Sequence, residues 1–244
     1  MEQEKTVIVQ KESDSNQINL NAESLTREIN WFARVVNTRL QDYFPKKKLE
    51  IQEEKGQSWF NKILNGKKEP KSVVGIDETD PKEIDTPVPD LSGDQSVYAD
   101  FVNYYKLNRE ERLLLMLAII PQVQPHLLDV FFSVNKTLGR GYTEFGGVKG
   151  NRHGGFIPTI ETALFLLAGN ELECRFQMYK LFEPDHVFFA HNILTLDQDN
   201  VRCEPFFSSS INISEEFVDF FTTGNLRKPQ FSLEFPAKRL VTGM

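Results

Sequence analysis

Leu25, Ile29, Phe32, Val36, Leu40 and Tyr43 recur at three- and four-residue steps between Ser24 and Phe44. That spacing stacks them on one face of a helix. Asn21 or Ser24 is placed to cap its start, and Pro45 marks its end. Residues 1–20 carry neither a helical nor a strand period and read as a disordered arm. Lys46 to Lys48 follow as a small basic cluster, most simply a solvated helix end that complements the dipole.

Residues 66–96 break this pattern. They hold Pro70, Pro81, Pro87 and Pro89, eight acidic residues and four lysines, with few large apolar groups. Such a stretch buries too little surface to offset its own ordering entropy, so it reads as a flexible acidic, proline-rich linker. It separates a 1–65 unit, the arm with its amphipathic helix, from a 97–244 domain onto which that helix can dock.

Periodic structure resumes at Val97. Tyr98, Phe101, Val102 and Tyr105 predict a short amphipathic helix. Asn108 with Glu111 three residues later forms a capping-box start for a helix over 109–120. Leu113 to Ile120 is apolar nearly all round, so this helix should lie at the buried centre, with Pro121 stopping it. Pro125 opens a further short helix to Ser133. Two more helices are predicted, Ile160 to Ala168 closed by Gly169, and Glu171 to Phe182 ending before Pro184.

Beyond Pro184 the pattern turns extended. Val187 to Leu196 and Pro205 to Ile213 are rich in Phe, Val and Ile, with turn residues from Asp197 to Asn200 between them, which predicts a β-hairpin. Ser214 is placed to cap a helix over 215–223 that ends at Gly224. The fold class is therefore α+β and mostly α: a helical domain with a winged-helix-like β-hairpin.

Composition narrows the function classes. The 244 residues allow one large or two small domains, at roughly 100–200 residues per domain. Lys plus Arg total 28 against 35 for Asp plus Glu, a formal net charge of -7. That balance argues against a chain that coats nucleic acid, which needs clustered cations. Two cysteines, Cys174 and Cys203, exclude a disulfide-dense scaffold and a four-cysteine zinc site. No apolar run approaches the roughly 18–20 residues that span a bilayer, and the N-terminus lacks a signal peptide's apolar region. Cytoplasmic location is the default.

Residues 139–155 hold seven of the fourteen glycines. Gly141 and Gly146 have phosphate-loop spacing, but Gly147 and Val148 stand where Lys and Ser or Thr must be. No nucleotide cofactor is expected to bind this chain. The loop has three readings. It is an ordered loop whose glycines supply positive φ and close packing, or a partner-binding or mobile loop, or an anion site. In the last, backbone N–H groups act with Arg140, Lys149, Arg152 and His153. Glu144 is its only acid, so Arg140, Glu144, Gly146, Gly147, Lys149, Gly150, Arg152 and His153 form the candidate binding set.

Catalytic and metal signals are weak. Ser208 to Ser210 lie in a predicted strand without nucleophile-elbow glycines. His186 and His191, five apart on a predicted strand, point to opposite faces and make poor co-ligands. Cys174 reads as a small core residue on its helix. Glu110 and Glu111 serve capping and solvation.

Four strings stand in order: Asn108 to Leu115, the loop Thr143 to Gly147 with Gly150 and His153 to Thr159, Glu161 to Gly169, and Phe235 to Arg239. Together they resemble the region that precedes the ATPase module in bacterial Cdc48-like AAA+ ATPases, some of them encoded beside contractile injection systems. The resemblance covers about residues 97–244 and has no counterpart for 1–96. It implies a winged-helix-like, non-catalytic N-terminal domain that positions a protein partner or substrate for a hexameric motor in cis. ATP and Mg belong to that motor, whose Walker residues match no position here. The alternative is a winged-helix nucleic-acid-binding regulatory module. Its candidate recognition helices carry only Arg175 and Lys180 as cations against Glu161, Glu171 and Glu173, poor material for groove binding.

Overall fold

The computed structural model describes residues 2–44, 86–135, 138–150, 152–197 and 204–225. The chain begins with one helix, α1 (Glu2–Tyr43). It is longer than the Ser24 start predicts, and the stretch read as a disordered arm is helical from Glu2. The expected start signals do other work. Asn21 is fully buried and spends its side chain on later elements, accepting from the Val97 N–H at 3.0 Å and donating to the Thr222 carbonyl at 3.3 Å. Gln17, one turn earlier, donates to the Asn21 side chain at 3.1 Å. The predicted stripe of Leu25, Ile29, Phe32, Val36 and Leu40 is buried, but so are Trp31, Ala33 and Val35. α1 is therefore enclosed over a wider arc than a one-sided surface helix.

Residues 86–96 close over α1. Composition assigned them to the linker, yet Leu91 is buried and Val88 packs on the core. Side chains satisfy their irregular backbone: Trp31 Nε1 donates to the Thr86 carbonyl at 3.2 Å and Arg112 Nη2 to the Pro89 carbonyl at 2.9 Å. Backbone polar groups need such partners when taken from water. The rest of the predicted linker, 66–85, lies outside the described residues, as do Lys46 to Lys48.

Ser96 caps α2 (Val97–Tyr105), accepting from the Ala99 N–H at 3.0 Å. The capping box of α3 (Arg109–Val123) forms as its sequence predicts, with Asn108 Oδ1 accepting from the Glu111 N–H at 2.9 Å and Glu111 Oε2 from the Asn108 N–H at 2.7 Å. Every residue from Arg112 to Ile120 is buried, so α3 is the central helix. Pro121 does not stop it. A proline removes one N–H from the ladder, and the ladder resumes beyond, the Gln124 N–H reaching the Ile120 carbonyl at 2.9 Å. The chain then bends by 104° into a 3-10 helix, Pro125–Phe132.

The glycine-rich stretch folds as two short ribbons. β1 (Val134–Asn135) pairs antiparallel with β2 (Arg140–Gly141), and β3 (Val148–Lys149) with β4 (Phe156–Ile157). A 3-10 turn, Thr143–Phe145, joins them. α4 (Ile160–Ala168) follows, its carboxyl end satisfied by Arg39 of α1, which donates to the carbonyls of Leu166 and Leu167 at 3.1 and 3.3 Å. Next comes α5 (Leu172–Tyr179), with a 3-10 turn to Phe182.

The predicted hairpin exists but is shorter. Val187–Ala190 forms a one-turn helix, α6, where a strand was expected, because His186 Nδ1 accepts from the Phe188 N–H at 3.3 Å and caps the turn. The strands are β5 (Leu194–Asp197) and β6 (Ser210–Ile213), paired antiparallel from Leu194 with Ile213 to Asp197 with Ser210. Residues 206–208 coil into a 3-10 turn behind Pro205. The other edge of β6 meets the segment before α4, the Ile211 N–H donating to the Pro158 carbonyl at 2.9 Å and the Ile160 N–H to the Ser209 carbonyl at 3.1 Å. α7 (Glu215–Thr223) packs back on α1 and ends at Gly224. Ser214 precedes it, but its hydroxyl makes no capping bond.

The fold is α+β and mostly α, with three two-stranded antiparallel hairpins among the described residues. α1, the 86–96 segment and the later elements share one hydrophobic core. Among the described residues no single helix is long and apolar enough to cross a membrane.

Candidate functional site

The glycine-rich loop is pinned to the start of α4 by two threonines. Thr159 Oγ1 accepts from the Gly147 N–H at 3.1 Å, and Thr162 Oγ1 donates to the Phe145 carbonyl at 2.8 Å. Gly147 has φ +82°, and a Cβ there would stand 2.0 Å from the buried Phe156 ring, so only glycine fits. Gly146 likewise packs against Thr159. Phe145, beneath the turn, is buried among Tyr43, Phe131 and Phe165. This is the ordered, closely packed loop of the first reading.

The candidate residues do not converge as an anion cradle. The N–H of Gly146 bonds to the Thr143 carbonyl at 3.1 Å and that of Gly147 to Thr159, so neither points at a ligand. Arg140 lies on β2 opposite Asn135, Lys149 on β3 opposite Phe156, and Arg152 on the following bend, all exposed. Glu144 sits beside Tyr43. Burial, then the Glu144 charge and hydrogen bond, push the Tyr43 phenol above the ordinary tyrosine range.

His153 borders a cavity. It lines a recess of about 240 Å³ between Pro121 and Gln122 of α3, Ile157 of β4, and Ile211 with Asn212 of β6. Its Nε2 is buried and has no hydrogen-bond partner among the described residues. Gly155 makes room for the imidazole, since a Cβ there would lie 2.7 Å from Nε2, and Gly150 packs against the His153 Cβ and carbonyl. The recess is thus lined by His153, by Gln122 and Asn212, and by apolar neighbours. The residues that line it include no carboxylate, hydroxyl or thiol side chain. Among the described residues no group of three or more His, Cys, Asp or Glu is placed to hold a metal ion.

The other expectations resolve individually. His186 and His191 flank α6 instead of lying on a strand, and His186 Nε2 is 3.2 Å from Glu111 Oε1. Ser209 is buried in a turn, its hydroxyl donating to the Phe206 carbonyl at 2.7 Å. Cys174, expected in the core, is exposed, because α5 has no fully buried residue. Cys203 lies outside the described residues.

Two features escaped the sequence reading. The first is a buried polar cluster of Glu28, Tyr98 and Arg112. Its signal lay in Glu28, which falls within the apolar stripe of α1 and so requires a partner; Arg112 ends the charged first turn of α3, directly before the apolar run. The second is the outer face of α5, where Leu172 and Phe176 are 63% and 67% exposed. With the geometry in place, comparison with known proteins adds no relative: no family model, curated protein or solved structure matches this chain.

Proposed function

We propose that this chain is a non-catalytic recognition domain of an AAA+ ATPase, which holds a protein partner or substrate for an ATP-driven motor in cis. The link to an AAA+ motor is supported by the four ordered strings from Asn108 to Arg239. The recognition role is supported by the solvent-facing apolar side of α5. Leu172 and Phe176 stay in water although burying each such side chain is worth about 1.5–3 kcal/mol. Exposed apolar side chains adjacent on one helix face support a recognition role.

Affinity capture with the full chain as bait, from cells that express it, tests the proposal. We expect AAA+ subunits or their substrate proteins in the captured set. Capture of nucleic acid without such proteins would contradict it and favour the regulatory winged-helix alternative.

A further inference from the structure

The outer face of α5 has a defined geometry. Leu172, Phe176 and Tyr179 stand at positions i, i+4 and i+7, one stripe of the helix. The stripe continues beyond the helix, because the Tyr179 ring meets Phe206 edge-on at 6.3 Å and Phe207 at 5.4 Å. The surface is held firmly from below. Arg175 Nη2 reaches both carboxylate oxygens of Glu161 at 2.8 and 2.7 Å, Arg175 Nη1 donates to the Gly169 carbonyl at 3.0 Å, and Met178 and Leu181 pack on the core. A rigid, preformed apolar stripe limits the ordering cost of binding to the partner.

The surrounding charge selects the occupant. Glu171 and Glu173 lie at the start of α5, Glu183 and Asp185 just past its end, and Glu204 two residues before Phe206, all exposed. Among the described residues of this stretch, Lys180 is the exposed cation, since Arg175 is engaged by Glu161. A second copy of this surface would bring these carboxylates against their own kind, because a two-fold contact is self-complementary. An anionic lipid surface or a nucleic acid would be repelled for the same reason.

We infer that the Leu172–Phe176–Tyr179–Phe206 surface docks a basic amphipathic helix of a partner protein. The apolar side of that helix covers the stripe, and its Lys or Arg side chains meet the carboxylate rim. This rests on the recognition role proposed above but not on the link to an AAA+ motor.

The test uses the full chain and two labelled helical peptides with the same leucine face, one flanked by lysines and one by glutamates, read by fluorescence anisotropy. The lysine peptide should bind, and Phe176→Ser or Leu172→Ser should weaken it about tenfold or more, as loss of a central apolar anchor does. The double variant Glu171→Lys, Glu173→Lys should weaken the lysine peptide and strengthen the glutamate peptide. Because these side chains are exposed, the variants should keep the parent's circular dichroism. Equal binding of both peptides, or lysine-peptide binding indifferent to Phe176→Ser and to the charge reversal, would overturn the inference. So would a concentration-dependent dimer abolished by Phe176→Ser, which would assign the stripe to a second copy. Failure here with AAA+ subunits still captured would leave the proposed function standing.

Discussion

Glu28 of α1 and Arg112 of α3 form an ion pair in the core, 84 residues apart in sequence. Arg112 Nε donates to Glu28 Oε2 at 3.3 Å, and its Nη2 donates both to Glu28 Oε1 and to the Pro89 carbonyl. The Tyr98 hydroxyl donates to Glu28 Oε2 at 3.0 Å, and the guanidinium lies 5.7 Å over the Trp31 ring. One cluster thereby ties α1, the 86–96 segment, α2 and α3 together. It explains why a stretch with linker composition is packed.

Breaking one half of this pair strands a buried charge. Arg112→Leu or Glu28→Leu should each cost about 3–5 kcal/mol, whereas the double replacement should recover much of that loss. Urea denaturation of the three variants measures it. Additive single losses would show that the two side chains act independently.

The Tyr98 phenol is pushed well above the ordinary tyrosine range, mainly by burial and then by the Glu28 charge, with Arg112 opposing. A raised folded-state value means that the folded protein holds this proton more tightly than the unfolded chain. The associated stability is fully present below the unfolded tyrosine value, near 10, and falls as pH rises from there toward the higher folded value. Denaturation midpoints across that alkaline range should therefore decline, and Tyr98→Phe should reduce the slope. An unchanged slope in that variant would assign the decline to other groups.

The loop glycines separate into required and dispensable positions. Gly147→Ala places a methyl against Phe156 at a positive φ and should cost more than about 1 kcal/mol. A methyl at Gly154 meets nothing within 4 Å, so Gly154→Ala should be neutral within about 0.5 kcal/mol or slightly stabilising. Gly155→Ala should displace the His153 ring, visible as a shift of its imidazole NMR signals. Equal thermal stability of the Gly147 and Gly154 variants would contradict the packing described.

His186 should be held in one tautomer. Its Nδ1 accepts from the Phe188 N–H, so in the neutral ring Nε2 carries the proton and donates to Glu111. Nitrogen-15 NMR of neutral His186 should show a protonated Nε2. Glu111→Ala should shift that signal and cost about 1 kcal/mol by removing the Glu111 Oε2 acceptor of the Asn108 N–H, while the Asn108 Oδ1 cap on the residue 111 N–H stays in place.

The sequence was most informative where local rules act alone. The Asn108–Glu111 box, the apolar centre of α3 and the Gly224 stop are decided within a few residues. Errors arose where distant partners override local preference. Asn21 is a helix start by composition but a bridge to Val97 and Thr222 in the fold. Thr86 and Pro89 look like linker until Trp31 and Arg112 reach their carbonyls. Val187 to Ala190 has strand composition, yet one imidazole cap turns it helical. At the candidate site, the glycine content announced tight packing. That His153 lines the recess depends on β6 and α3 arriving there, which spacing within the loop does not encode.

The central functional claim is that the chain serves an AAA+ motor in cis, and the most direct measurement is the reading frame beyond residue 244. We predict a Gly-x-x-x-x-Gly-Lys-Ser/Thr string and a downstream acidic metal motif shortly after it. A stop codon there, with no AAA+ ATPase encoded alongside, would contradict the claim.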